Sequence, residues 1–296
     1  MSLGLELTVL TRNAAAFRAK APHLAGHAAV TLIEGQVSDL SALDGPYDSI
    51  VHAATDVVRQ DQSAAVVYQH IVDGAKQTLS LAERCGARRY MLTSSGAVYG
   101  RQDPLVSHRQ DDDPALPGED DVYGRGKRAA EAYMFEHAAK HGLAATSARI
   151  FALLGPYLPL NAQFAAGNFI ADAMATRPIA VRGDGTACRS YLYGADLTVW
   201  LLTILVRGAS GQSYNVGSEH AVSIGELAKH IAAQMPGEIP VLFAQRAEPG
   251  SLPQRYVPST AKARAALGLA EFTDLLTALE KTIAWSGQRA REHNHA

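Results

Sequence analysis

Short β-branched runs alternate with longer helical patterns through the first half of this chain, and that rhythm constrains the fold more than any other feature. LELTVLTRN reads as a strand over Leu5 to Leu10, AVTLIEG as a strand over Ala29 to Gly35, and YDSIVHAA as a strand over Tyr47 to Ala54. Val67, Ile71, Ala75, Thr78, Leu79 and Ala82 then recur at helical spacing, predicting a helix from Ala64 to Cys85 with Gly86 as its stop. RRYMLTSS is the next strand, followed by a polar loop, a second long helix from about Asp121 to His141, and the strand AATSARIFALL. Buried strands alternating with helices imply an α/β fold, with a mostly parallel sheet covered on both faces.

After GPYLPL the rhythm loosens, and short strands such as PIAVRG and IPVLFA appear among helices. LYGADLTVWLLTILVRG and QSYNVGS predict one more helix and strand returning to the main sheet. The expected division is a dinucleotide-binding domain over residues 1–155 and about 190–216, with a smaller interleaved α+β lobe over 156–189 and about 217–296.

Composition removes several function classes. The net charge is −2 and no run of Lys or Arg occurs, so nothing marks a nucleic-acid surface. Cys85 and Cys188 are too few for a disulfide scaffold or a metal cluster, which points to a reducing cytoplasm and no metal centre. No apolar stretch is long and continuous enough to span a bilayer, so no membrane partner is expected.

The chemistry concentrates in VYGRGK. Tyr123 and Lys127 are four residues apart at the start of the second long helix, which puts both on one helical face. An ammonium near a phenol favours the phenolate, so Lys127 is expected to lower the Tyr123 pKa toward neutrality and fit it for proton transfer. A Tyr-x-x-x-Lys pair alone is weak, since the chain holds 11 tyrosines. Upstream, however, the strand RRYMLTSS ends in Ser94-Ser95 and runs into Gly96-Ala97-Val98-Tyr99-Gly100. A hydroxyl at the carboxyl end of a parallel strand lies where open α/β sheets bind ligands.

With these motifs in this order, the sequence resembles the NAD-dependent epimerase/dehydratase family, the extended short-chain dehydrogenases/reductases that act on nucleotide sugars. RIFALLGPY, PIAVRGDGTACRSYLYGADL, YNVGS and RYVPSTAKARAALG follow in family order, so the resemblance covers nearly the whole chain. It implies a Rossmann-type doubly wound sheet and a nucleotide-diphosphate sugar as substrate. Ser95, Tyr123 and Lys127 take the roles of catalytic serine, general acid/base and supporting lysine. His52, Ala53, Ala54, Ser94 and Phe151 would line the cofactor with Tyr123 and Lys127, and Val37 and Gln36 would lie near adenine. Ser95, Gly96 and Asn168 would meet the substrate, with a helix cap as the competing role for Asn168. Arg189 and Arg255 are candidates for the diphosphate or ordinary solvated arginines.

Departures from the family pattern narrow the reaction. Family dehydratases, and decarboxylases similarly, carry acidic residues just after the catalytic hydroxyl; Gly96 and Ala97 stand there instead. The resemblance therefore implies a 4-epimerase, with an NADPH-dependent 4-keto nucleotide-sugar reductase as alternative. Ala152 replaces a common asparagine, and Glu248 falls near a usual phosphate-binding arginine. At the tip of the first strand, Thr11-Arg12-Asn13 offers a cation in place of a ribose-binding carboxylate, which leans toward NADP over NAD. The two long helices would pair into a homodimer by family resemblance.

No G-x-G-x-x-G occurs among the 25 glycines. In the family, that loop and its strand occupy roughly the 25–30 residues before LELTVLTRN. The expectation is a chain truncated before its central strand, whose absence separates strands that normally flank it. A non-catalytic binding or regulatory homologue is the reading from another class.

Overall fold

In the computed structural model, residues 4–55, 63–162 and 164–294 are described. The chain runs through β1 (Leu7–Thr11), α1 (Ala14–Lys20), α2 (Pro22–Ala25), β2 (Val30–Glu34), β3 (Ser49–His52), α3 (Ala64–Arg84) and β4 (Arg89–Ser95). After a 3-10 turn over Gly96–Tyr99 come α4 (Val122–His141), β5 (Ala144–Ile150), β6 (Leu153–Leu154), α5 (Ala165–Met174), β7 (Ile179–Val181) and β8 (Cys188–Arg189). The remainder is β9 (Leu192–Tyr193), α6 (Gly194–Arg207), β10 (Gln212–Val216), β11 (Val222–Ser223), α7 (Ile224–Ala233), β12 (Val241–Phe243), β13 (Arg255–Tyr256), α8 (Ala261–Leu267) and α9 (Leu275–Asn294).

The main sheet has the order β10-β5-β4-β3, all parallel. Helices cover both of its faces. Ile71, Leu79, Tyr90, Leu92 and Met134 join α3 and α4 to one side; Met91, Trp200, Ile204 and Tyr214 join α6 to the other. Alternate residues of β4 thus feed opposite cores, as the two-residue pleat requires.

β1 and β2 form a separate parallel pair, Leu7 opposite Val30 and Thr11 opposite Glu34. Among the described residues no strand hydrogen-bonds β1 to β3, so the sheet is divided where the sequence leads one to expect the central strand. The two parts are joined by side chains: Leu10 and Ile33 pack with Leu40, Leu43, Leu81 and Ile50. The smaller lobe has its own core around Phe169, Ile170, Ile179, Leu227, Ile231 and Leu279, together with the small sheets β11-β8-β13 and β12-β7. Among the described residues no helix is long and apolar enough to cross a membrane.

Candidate active site

The site is built where β4 ends and α4 begins. Ser95 is the last residue of β4, and its Oγ accepts from the Ala97 N–H at 3.2 Å, capping the 3-10 turn. Asp121 caps α4, accepting from the Gly124 N–H at 2.8 Å. The first turn of α4 can approach the Ser95 turn because residue 124 is glycine: a Cβ there would lie 2.5 Å from the Ala97 carbonyl oxygen. This close approach brings the Tyr123 hydroxyl within electrostatic reach of Ser95. One helical turn further on, Lys127 is 2% exposed.

Lys127 Nζ donates to the Thr93 carbonyl at 2.7 Å and to Thr55 Oγ1 at 2.8 Å, and lies 5.8 Å from the centre of the Tyr123 ring. Burial lowers its pKa to about 8, against an opposing pull from the Glu131 carboxylate. The sequence expectation that Lys127 lowers the Tyr123 pKa needs correction. Burial raises the Tyr123 pKa, the nearby Ser95 hydroxyl opposes this, and Asp121 adds to the rise. The ammonium is drawn off to β4 and Thr55, leaving desolvation of the phenolate dominant. His52, at the end of β3, is pushed down to about 4 by burial and by Lys127.

Sequence reasoning missed Tyr256. Its hydroxyl is 3.5 Å from Ser95 Oγ, so Ser95 lies between two tyrosines. It arrives on β13, whose partner β8 sets Tyr256 opposite Arg189. The Tyr256 ring packs on Phe151 at 4.6 Å between centroids, and the Arg189 guanidinium lies 5.8 Å from its centre. Gly96 closes this arrangement, since a Cβ there would meet Phe151 at 2.6 Å and the Tyr256 hydroxyl at 2.7 Å. Only a signal for long-range pairing of β13 could have revealed Tyr256, and two-residue strands carry none.

The other candidate residues fall into separate groups. Ser94 is buried at the end of β4; Ala53 and Ala54 are exposed just past β3. Val37 approaches His52 across Gly74, a Cβ on which would lie 3.4 Å from each side chain. Gln36 lines a cleft of about 310 Å³ with Leu10, Glu34, Gly35 and Asp39. Arg12 is exposed at the tip of β1, and Asn13 caps α1, accepting from the Ala16 N–H at 2.7 Å. Asn168 lies inside α5, where Phe164 holds the cap position, so it is not a helix cap. It lines a cleft of about 520 Å³ with Asn161, Asp172, Arg177, Arg182 and Asp184. Arg255 Nε donates to the Ser107 carbonyl at 3.2 Å, anchoring the loop after β4.

The description of the NAD dependent epimerase/dehydratase family matches residues 1–217. The chain belongs to this family. Among curated members, UDP-glucuronic acid decarboxylase 6 of Arabidopsis thaliana is 31% identical over 202 residues, 67% of this chain and 57% of that protein. UDP-glucuronic acid decarboxylase 1 of Danio rerio is 28% identical over 298 residues, covering 98% of this chain and 68% of that one. The match thus spans little more than half of the first relative and about two thirds of the second. Among solved structures, UDP-glucose 4-epimerase from Thermotoga maritima aligns with a TM-score of 0.83 at 17% identity, covering 97% and 92% of the two chains. UDP-glucuronic acid 4-epimerase from Bacillus cereus aligns with a TM-score of 0.82 at 18% identity and the same coverage. At these identities the structures share the Rossmann-type fold alone.

The dinucleotide implied by the family fits this chain at its two ends. Ser94 Oγ and His52 Nδ1 are buried without a hydrogen-bond partner at the carboxyl ends of β4 and β3, beside Lys127. Such orphaned polar atoms suit a polar ring and ribose lying across those strand ends. The cleft at Gln36 suits a purine. For the pyrophosphate between them the described residues offer no glycine turn: β1 leads directly into α1 under its Asn13 cap.

Proposed function

We propose that the site is that of an NAD(P)-dependent nucleotide-sugar epimerase of the 4-epimerase type. The observation that carries this reading is the surface next to Ser95. Gly96 is packed against Phe151 and the Tyr256 hydroxyl, and Ala97 presents a methyl group, so neither supplies the side-chain acid that elimination or decarboxylation draws on. The Asp121 carboxylate is committed to the amide of Gly124.

Held across the strand ends by Ser94, His52 and Lys127, a nicotinamide would supply reversible hydride transfer at the sugar carbon. Tyr123, whose proton burial retains, would take the proton of the hydroxyl on that carbon once the positive charge of a bound nicotinamide ring offsets that burial, and Ser95 holds the same oxygen by a hydrogen bond as it becomes a carbonyl. Lys127 keeps a positive charge beneath the site, against Thr93. With the keto sugar turned over, Tyr123 gives the proton back, and the cycle is redox-neutral. Arg189, next to Tyr256, is the better placed of the two arginines for the diphosphate.

The test incubates the purified chain and NAD with UDP-, dTDP-, GDP- and CDP-sugars, following products by chromatography and nicotinamide by absorbance. Epimer formed without net reduction supports the proposal. Release of carbon dioxide from a uronic acid substrate would replace it with decarboxylation, and failure to bind cofactor would sink both in favour of a binding homologue. Tyr123→Phe should lower turnover by roughly 10²–10⁴-fold with the melting temperature retained. A second reading, the NADPH-dependent 4-keto sugar reductase, is favoured by Arg12 at the tip of β1; net NADPH consumption would select it. Pairing of α3 and α4 about a two-fold axis belongs to the same proposal.

A further inference from the structure

Away from the triad, a cluster of metal-ligating side chains sits on the outer seam between α3 and α4. Glu83 comes from the last turn of α3. His137 and His141 come from α4, four residues apart and therefore on one face. His137 Nε2 is 3.8 Å from one Glu83 carboxylate oxygen, and His141 Nδ1 is 3.2 Å from the other. One donor atom from each residue lies within 4.8 Å of the other two.

The donors lie close together before any ion arrives, although stacking holds the two imidazole lone pairs side by side, so one ring must turn for both to meet one ion. The two imidazoles stack with centroids 4.3 Å apart and planes 20° from parallel, and Tyr133 stacks on His137 at 5.9 Å. The His137 side chain is 14% exposed, whereas those of His141 and Glu83 are 40% and 53% exposed, so the cluster has a packed base and an open mouth. A tetrahedral zinc bound at its usual 2.0–2.2 Å keeps neighbouring donors about 3.4 Å apart. The two His–Glu separations, each to a different carboxylate oxygen, lie near that spacing. Two imidazoles with one carboxylate suit zinc and its first-row neighbours, whereas calcium and magnesium favour all-oxygen sets.

We propose that Glu83, His137 and His141 form a site for a divalent transition metal of the zinc class. Water fills the fourth position, and the bound ion clips α3 to α4. The site is independent of the proposed epimerase activity, so it stands or falls on metal binding alone.

Calorimetric titration of Zn²⁺ into the full chain, stripped of metal by chelation, tests it beside H137A, H141A and E83Q. One ion per chain is expected at a dissociation constant on the order of micromolar, weakened about tenfold or more in each variant. Zinc should raise the melting temperature of the parent chain and not of H141A, whose exposed position leaves the fold intact. Co²⁺ in the parent should show the visible absorption of tetrahedral coordination. The chain contains 11 histidines, including His293 and His295. Unchanged affinity in the H137A/H141A double variant would therefore place the ion elsewhere and overturn the proposal. So would no binding at about 1 mM zinc.

Discussion

At Lys127, an ammonium is enclosed between α4 and β4, where among the described residues Thr55 and the Thr93 carbonyl accept its hydrogen bonds, and its pKa falls to about 8. The unfolded value is about 10.4, so the native state sheds this proton first and the unfolded state binds more protons between the two values. Native stability should therefore rise with pH from about 8 to about 10, by an amount on the order of 3 kcal/mol over the whole window. Thermal melts of the parent and Lys127→Met across that range check this. The difference should move in favour of the parent as pH rises, while the variant loses turnover at every pH; parallel pH profiles would refute it. Ser95, Tyr123 and Lys127 were legible in the sequence because strand end, helix start and four-residue spacing are local signals. The pKa of Tyr123 was not, because it depends on where the lysine nitrogen points and how deeply the ring is buried. Tyr256 escaped notice for a related reason: it lies 161 residues from Ser95 and reaches it only through tertiary pairing.

At the level of elements, the first turn of α4 determines whether the hydroxyls meet. Two glycines there answer differently to the same substitution. At Gly124 a Cβ meets the Ala97 carbonyl and the Asp121 carboxylate at 2.5 and 2.6 Å, both fixed by the fold. At Gly126 it meets the terminal Cδ1 of buried Ile71 at 2.9 Å, which can turn aside, and the Ile71 Cβ at 3.3 Å, which can give only by a small shift of α3. Gly124→Ala should cost about 1–3 kcal/mol and draw Tyr123 away from Ser95. Gly126→Ala should cost less, because the gain in helix propensity, about 1 kcal/mol, offsets part of the crowding. Denaturant melts with parallel turnover assays decide it, and equal losses in the two variants would show the reasoning to be wrong. The ends of α3 and α4 were readable because each carries its own signals. Asp121 caps the start of α4, Gly142 ends it at φ +69°, and Gly86 stops α3 at φ +67°. The strands β6, β8, β9, β11 and β13 are two residues long, too short to show any period, and only packing defines them. The polar C-terminus continues α9 to Asn294.

Across the whole molecule, the parallel sheet is in two parts. Leu7 on β1 is 55% exposed and Val51 on β3 is 43% exposed, as befits strands at open edges. β4 and β5 share a seven-residue register inside the main sheet, whereas among the described residues β1 and β2 pair only with each other. Hydrogen exchange should therefore be markedly faster at β1 and β2 amides than at β4 and β5 amides, since local opening there disrupts one ladder only. Equal protection followed by mass spectrometry would mean the two parts open together. The arrangement also bears on affinity. The cleft at Gln36 belongs to one part and the triad to the other, and side-chain packing rather than backbone pairing holds their separation. A ligand long enough to touch both must fix that distance itself. Its measured dissociation constant will then be weaker than its contacts alone would give, and bracing the two parts together would tighten binding without adding a single contact to the ligand.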